Sequence, residues 1–131
     1  MTESEAIELL KHHSGTHEDN THPKSEKGFL GILRPFDGQL KAENFHEVMN
    51  ILRVLTPQFR SQCISKEVIS GFWSICHFAR MWALEENGML RRNNLISDKQ
   101  LEQLSEWIDE ISCNVMMLLD DEEEDIPSED Y

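Results

Sequence analysis

The sequence predicts an all-α fold: a compact helical bundle of three long helices plus a short N-terminal helix, with an irregular Gly/Pro-containing arm. Three observations carry this. Apolar residues recur at spacings of three and four over three long segments. Residues that cap helices stand at the starts of several of them. No segment shows the period-two alternation of a half-buried strand. At 131 residues and 39% apolar, the chain has material for one domain with one core.

Residues 2–13 form the short helix. Thr2 caps it, Glu5 stands at capping-box spacing, and Ala6, Ile7, Leu9 and Leu10 make an apolar side. Residues 14–27 are polar, contain Gly15 and Pro23, and read as a loop or linker. Residues 28–38 hold Phe29, Leu30, Ile32, Leu33 and Phe36, but their glycines and Pro35 oppose a long helix. An irregular arm packed over the core is expected.

Residues 41–55 are the first long helix, with Phe45, Val48, Leu52 and Leu55 on one stripe and Thr56-Pro57 as its stop. Residues 66–86 are the second. Ser65 caps it, and Asn87-Gly88 is placed to end it in the left-handed conformation. Val68, Phe72, Ile75, Ala79 and Trp82 make one stripe, Ile69, Trp73 and Cys76 a second, and Phe78, Met81 and Leu84 widen the face. A helix apolar nearly all round is expected at the centre of the protein. Residues 98–119 are the third. Ser97 and Gln100 make a capping box, and Leu101, Leu104, Ile108, Ile111, Val115 and Leu118 follow heptad spacing. Such a seam serves packing between chains as well as within one, so a homodimer stays open.

The formal charge is −13 and is unevenly placed. Residues 120–131 carry eight acidic and no basic side chains, and read as an acidic disordered tail. Residues 28–119, the expected bundle domain, are nearly neutral, and residues 1–27 are the short helix and His-rich linker. The charge argues against nucleic acid or an anionic membrane as direct partner, since both require a positive surface. No apolar run approaches a membrane span, and the N-terminus lacks the pattern of an export signal. Three widely spaced cysteines, Cys63, Cys76 and Cys113, form no metal or redox motif and read as reduced thiols. A cytoplasmic protein is expected.

Five constellations are candidates for chemistry. His12, His13, His17 and His22 could surround a zinc or nickel ion, although a solvated, weakly chelating linker is the favoured reading because a flexible site loses chain entropy on binding. Glu43-x-x-His46 is half of a di-iron motif without its second copy, and His46 lacks the second histidine of a zinc HExxH. Arg91 and Arg92, between two long helices, could hold a carboxylate or phosphate. Cys76 and His77 are adjacent, so on a helix they point about 100° apart and do not form a nucleophile pair. The last is electrostatic: Glu102, Glu106, Asp109 and Glu110 form a carboxylate stripe on the third long helix that runs toward Asp120, Asp121, Glu122 and Glu123. Like charges at i,i+4 cost about 0.2–0.5 kcal/mol per pair, which a surface for a basic partner would explain, while solubility alone accounts for the stripe equally well.

No catalytic fingerprint appears, and no cofactor is implied. The leading expectation is a small acidic interaction module, an inhibitor of or adaptor for a basic protein, of the immunity, antitoxin or nucleic-acid-mimic kind. The second is a ligand-binding or enzymatic helical domain using Arg91 and Arg92 with His46 or His77. The third is metal binding through the N-terminal histidines.

Overall fold

The computed structural model describes residues 1–120, and every regular element among them is helical. Four long helices build the core: α1 (Glu3–His13), α3 (Ala42–Val54), α5 (Lys66–Ala79) and α7 (Asp98–Leu119). Between them run three short ones: α2 (Pro23–Lys27), α4 (Thr56–Arg60) and α6 (Met89–Arg92). Helices α3 and α5 each pack against α1 and α7, so the four long helices close into a ring around the core.

The starts of these helices follow from their caps. Thr2 Oγ1 accepts the Glu5 N–H at 3.1 Å, and Ser65 Oγ accepts that of Glu67 at 3.3 Å. At α7 the capping box is complete: Ser97 Oγ accepts from Gln100 N at 3.1 Å, and Gln100 Oε1 accepts from Ser97 N at 3.0 Å. The other end of the Gln100 amide donates to the Gly38 carbonyl at 2.7 Å, which ties the arm to α7.

The apolar stripes fill the ring. Val48, Leu52 and Leu55 from α3 and its end, Val68, Phe72, Ile75 and Ala79 from α5, and Leu104, Ile108, Ile111 and Leu118 from α7 are all buried. Helix α1 is a full member of this core, with Ala6 and Leu10 completely buried. It approaches α5 closely because position 71 is glycine: a Cβ there would lie 2.6 Å from Leu10 Cγ. The arm packs as its composition suggests, with Phe29, Leu30 and Leu33 buried around a single 3₁₀ turn over Gly31–Leu33.

Three features differ from the expectation. First, the α-helical part of residues 66–86 stops at Ala79 and passes into a π-helical turn over Arg80–Leu84, closed by Glu85 N–H to the Arg80 carbonyl at 3.0 Å. Gly88 is not a left-handed terminator; it precedes α6 with φ −63°, and in this connector the positive φ, 55°, falls at Asn94. Second, α5 is not enclosed by protein, since Trp73, Phe78 and Met81 are exposed. A helix in a ring has two neighbours, and α5 has more apolar stripes than two neighbours cover. Third, residues 14–27 are not all solvated linker. Ser14 is buried directly after the buried His12 and His13 of α1, and residues 23–27 make α2 with Pro23 in its first turn.

Candidate functional site: an apolar groove beside an acidic row

The uncovered side of α5 meets α7 in a groove of about 260 Å³. Ile69, Trp73, His77 and Met81 line it from the α5 side, and Ser112, Val115, Met116 and Leu119 from α7. Trp73 is 69% exposed and Met116 57%, while Phe72 and Cys76 form a buried floor. From Trp73 and His77 in the groove wall a row of rings continues through Phe78 and Trp82, which lie outside the lining. Trp73 stacks on His77 with centroids 6.3 Å apart, His77 meets Phe78 edge-on at 5.1 Å, and Phe78 meets Trp82 at 5.2 Å. A π turn inserts a residue into the helical register. Met81 lies on the groove, and Trp82 receives the Arg34 guanidinium over its ring at 5.5 Å.

The floor is chemically quiet. Burial pushes the Cys76 thiol up to about 11, and its Sγ lies 4.0 Å from the Ile108 carbonyl. It is a neutral thiol packed as a small apolar group. The polar groups stand at the rim. Arg80 Nη2 pairs with Asp109 Oδ1 at 3.6 Å, and Glu85 closes one end.

Asp109 joins the groove to the acidic stripe. Glu102, Glu106, Asp109, Cys113 and Met116 are all exposed and follow one another at helical spacing, so a single row on α7 runs from carboxylates to an apolar rim. Glu110 departs from this row. It is half-buried, and its carboxylate and carbonyl accept from Asn114 Nδ2 at 3.1 and 2.7 Å. Asp120 is exposed at the end of α7, whereas Asp121, Glu122 and Glu123 lie outside the described residues.

The N-terminal histidines come together differently from a metal site. The rings of His17 and His22 stack on the two faces of His12, with centroids 3.9 and 4.0 Å away. The nitrogens of near-parallel rings lie in separate planes, and the outer two rings are too far apart to share an ion that holds its nitrogens at about 2.0–2.1 Å. His12 Nδ1 is 3.0 Å from Ser25 Oγ, and the Nδ1 atoms of His17 and His22 accept from the N–H groups of Asp19 and Lys24. Among the described residues no group of three or more His, Cys, Asp or Glu is arranged to hold a metal ion.

His13 stands apart from the stack. Its Nδ1 accepts the buried Phe29 N–H at 2.9 Å and its Nε2 lies 2.7 Å from Glu47 Oε1. Accepting at Nδ1 leaves the proton of the neutral ring on Nε2, which donates to Glu47. Burial lowers its pKa more than Glu47 raises it. The arrangement resembles a carboxylate–histidine dyad, but the position a nucleophile would occupy is taken by backbone, so its role is to bind the arm and α3 to α1. Of the remaining candidates, His46 lies edge-on to Phe45 at 5.8 Å on α3. Arg91 donates from Nη1 to the Leu84 carbonyl at 2.8 Å, and Arg92 is exposed. The groove takes in His77 and Trp73; His46, Arg91 and Arg92 do not line it.

The groove was the feature sequence reasoning missed. Its signal was present: the second apolar stripe on α5, Ile69, Trp73 and Cys76, and the exposed position of Met116 off the α7 seam. Among the described residues no helix is long and apolar enough to cross a membrane. Comparison of the chain with protein-family models, with curated proteins and with solved structures finds no match.

Proposed function

We propose that the protein is an interaction module for a basic protein partner, acting as its inhibitor or adaptor, with the exposed row of α7 as the contact surface. The observation that carries this is the run of Glu102, Glu106 and Asp109 along the solvent side of that helix. Among the described residues neither Glu102 nor Glu106 makes an ion pair. Their mutual repulsion is a cost of about 0.2–0.5 kcal/mol that the fold does not offset locally. A basic partner relieves it, and the negative field speeds the encounter. Three unpaired cysteines, one of them buried, suit a reducing compartment such as the cytoplasm.

The test is capture from native lysate with the wild-type chain and with Glu102→Gln/Glu106→Gln/Asp109→Asn. The association rate of the captured protein is then measured against ionic strength. A basic protein retained only by the wild type, with a rate that falls steeply with salt, supports the reading. Equal capture by both chains and a rate indifferent to salt removes it.

A further inference from the structure

We propose that the α5/α7 groove is the seat of an amphipathic helix of the partner, with apolar side chains in the groove and Lys or Arg against its acidic rim. This inference rests on the basic-partner reading above and names the element that is recognised.

Shape is the first argument. At about 260 Å³, the groove falls below the roughly 300–1,000 Å³ of pockets that enclose a small ligand. It is bounded by two long helices and lined along its length by Ile69, Trp73, Met81, Val115, Met116 and Leu119. A groove of this form takes successive anchors at i, i+3, i+4 and i+7 of a helix. Methionines at the rim adapt to the anchors they meet, and Trp73 supplies the large exposed apolar surface typical of an interface centre.

Charge decides between occupants. Arg80 of the lining is offset by its pair with Asp109, which lies outside the lining, and this leaves Glu85 as the uncompensated charge of the groove wall. Asp120 follows immediately after Leu119. The chain's own residues 121–131 contain seven acidic and no basic side chains, so they would meet this rim as like charges. A second copy related by two-fold symmetry would bring the same acidic rims together. A helix with a basic flank satisfies both the groove and its edge.

The probe is a synthetic amphipathic peptide of about 18 residues, five helical turns, with Leu at the anchor positions and Lys elsewhere. A twin carries Glu in place of every Lys. Binding to the full chain is measured by calorimetry, and the contact is mapped from the Trp73 indole and Met81 and Met116 methyl NMR signals. The lysine peptide is expected to bind at these groups, and the glutamate peptide at least about tenfold more weakly. Trp73→Ser and Met116→Gln alter exposed side chains, and each is expected to weaken binding about tenfold while the melting temperature stays near that of the wild type.

Failure of the lysine peptide to bind overturns the proposal. Binding unaffected by Trp73→Ser and Met116→Gln, with shifts confined to Glu102 and Glu106, also overturns it but leaves the acidic row as the partner surface. Equal binding of both peptides at the groove overturns the charge complementarity and the basic-partner reading together. Groove signals that move when residues 121–131 are removed, with tighter peptide binding, identify the tail as occupant. A dimer in sedimentation that Trp73→Ser dissociates identifies a second copy. Either of the last two outcomes overturns the proposal.

Discussion

The wholly buried imidazole of His13 donates to Glu47 at 2.7 Å, and this hydrogen bond ties the end of α1 to α3. The same residue accepts the Phe29 N–H on its other nitrogen, and its carbonyl accepts the Leu30 N–H at 3.1 Å. Around it Lys24 Nζ stands 3.7 Å from Glu47, and Asn44 Nδ2 donates to the Lys27 carbonyl at 2.7 Å. His13→Ala is expected to leave the Phe29 N–H buried without an acceptor, which alone costs roughly 1–3 kcal/mol. Glu47→Gln keeps a neutral acceptor and is expected to cost less, about 0.5–1.5 kcal/mol. Urea unfolding of both variants checks the order; equal losses would show that the carboxylate charge matters more than the bond to the arm.

Stability is expected to fall on mild acidification. Burial lowers the pKa of His13, and burial followed by the charges of His17 and His22 lowers that of His12. Unfolded, both rings take up protons near their ordinary value of about 6.5, whereas the folded protein takes them up only at lower pH. The unfolded chain therefore binds more protons as the pH drops. Stability is full above about pH 6.5 and declines below it, by at most about 1.4 kcal/mol per pH unit for each histidine, until the folded pKa is reached. Glu8, held down by its bond to His17, and Asp19, held down by Thr21, have the same sign but act only in the carboxylate range. The urea midpoint followed from about pH 7.5 to about pH 5.5 reads the histidine part alone. A flat profile over that interval contradicts it.

Gly71→Ala is expected to destabilise the protein although alanine is the better helix former. The helix gains about 1 kcal/mol from propensity. The added methyl falls 2.6 Å from Leu10 Cγ, and overpacking of a filled site costs about 1–3 kcal/mol. Thermal unfolding decides the sign, and a stabilised variant would mean that α1 yields easily at this crossing.

The three thiols are expected to react unequally. Cys63 and Cys113 are exposed, whereas Cys76 is buried with its pKa raised to about 11. A thiol-reactive disulfide should modify two groups quickly in the native protein and the third only on unfolding. Fast modification of all three would place Cys76 at an open surface.

Cutting the chain after residue 119 removes eight of its acidic side chains. If the acidic row of α7 steers a basic partner, the deletion slows association more than it speeds dissociation. Stopped-flow mixing with the captured partner separates the two rates.

The helices of the core were legible because their signals are local. Thr2, Ser65 and Ser97 each cap the helix they were expected to cap, and the α7 seam lies buried or half-buried along its length. What was not legible depends on partners distant in sequence. Glu47 lies off the Phe45, Val48 and Leu52 stripe of α3, and nothing local marks its partner His13, 34 positions away. Trp73 reads as core because its stripe is apolar, and only the number of neighbours around α5 shows that the stripe is left uncovered. The π turn at Arg80–Leu84 carries no cap or breaker that would announce it.

The order of helices around the ring also divides the protein's possible fates. Helices α1 and α3, consecutive long helices, hold the histidine bridge between them; α5 and α7, the next consecutive pair, hold the groove. Each feature is thus the property of one half of the chain, and the halves meet through the buried faces of all four helices. Substitutions that reshape the groove need not disturb the acid-sensitive joint, and changes at the joint need not alter the groove's lining. One chain can therefore drift in the shape of that surface and in pH tolerance separately.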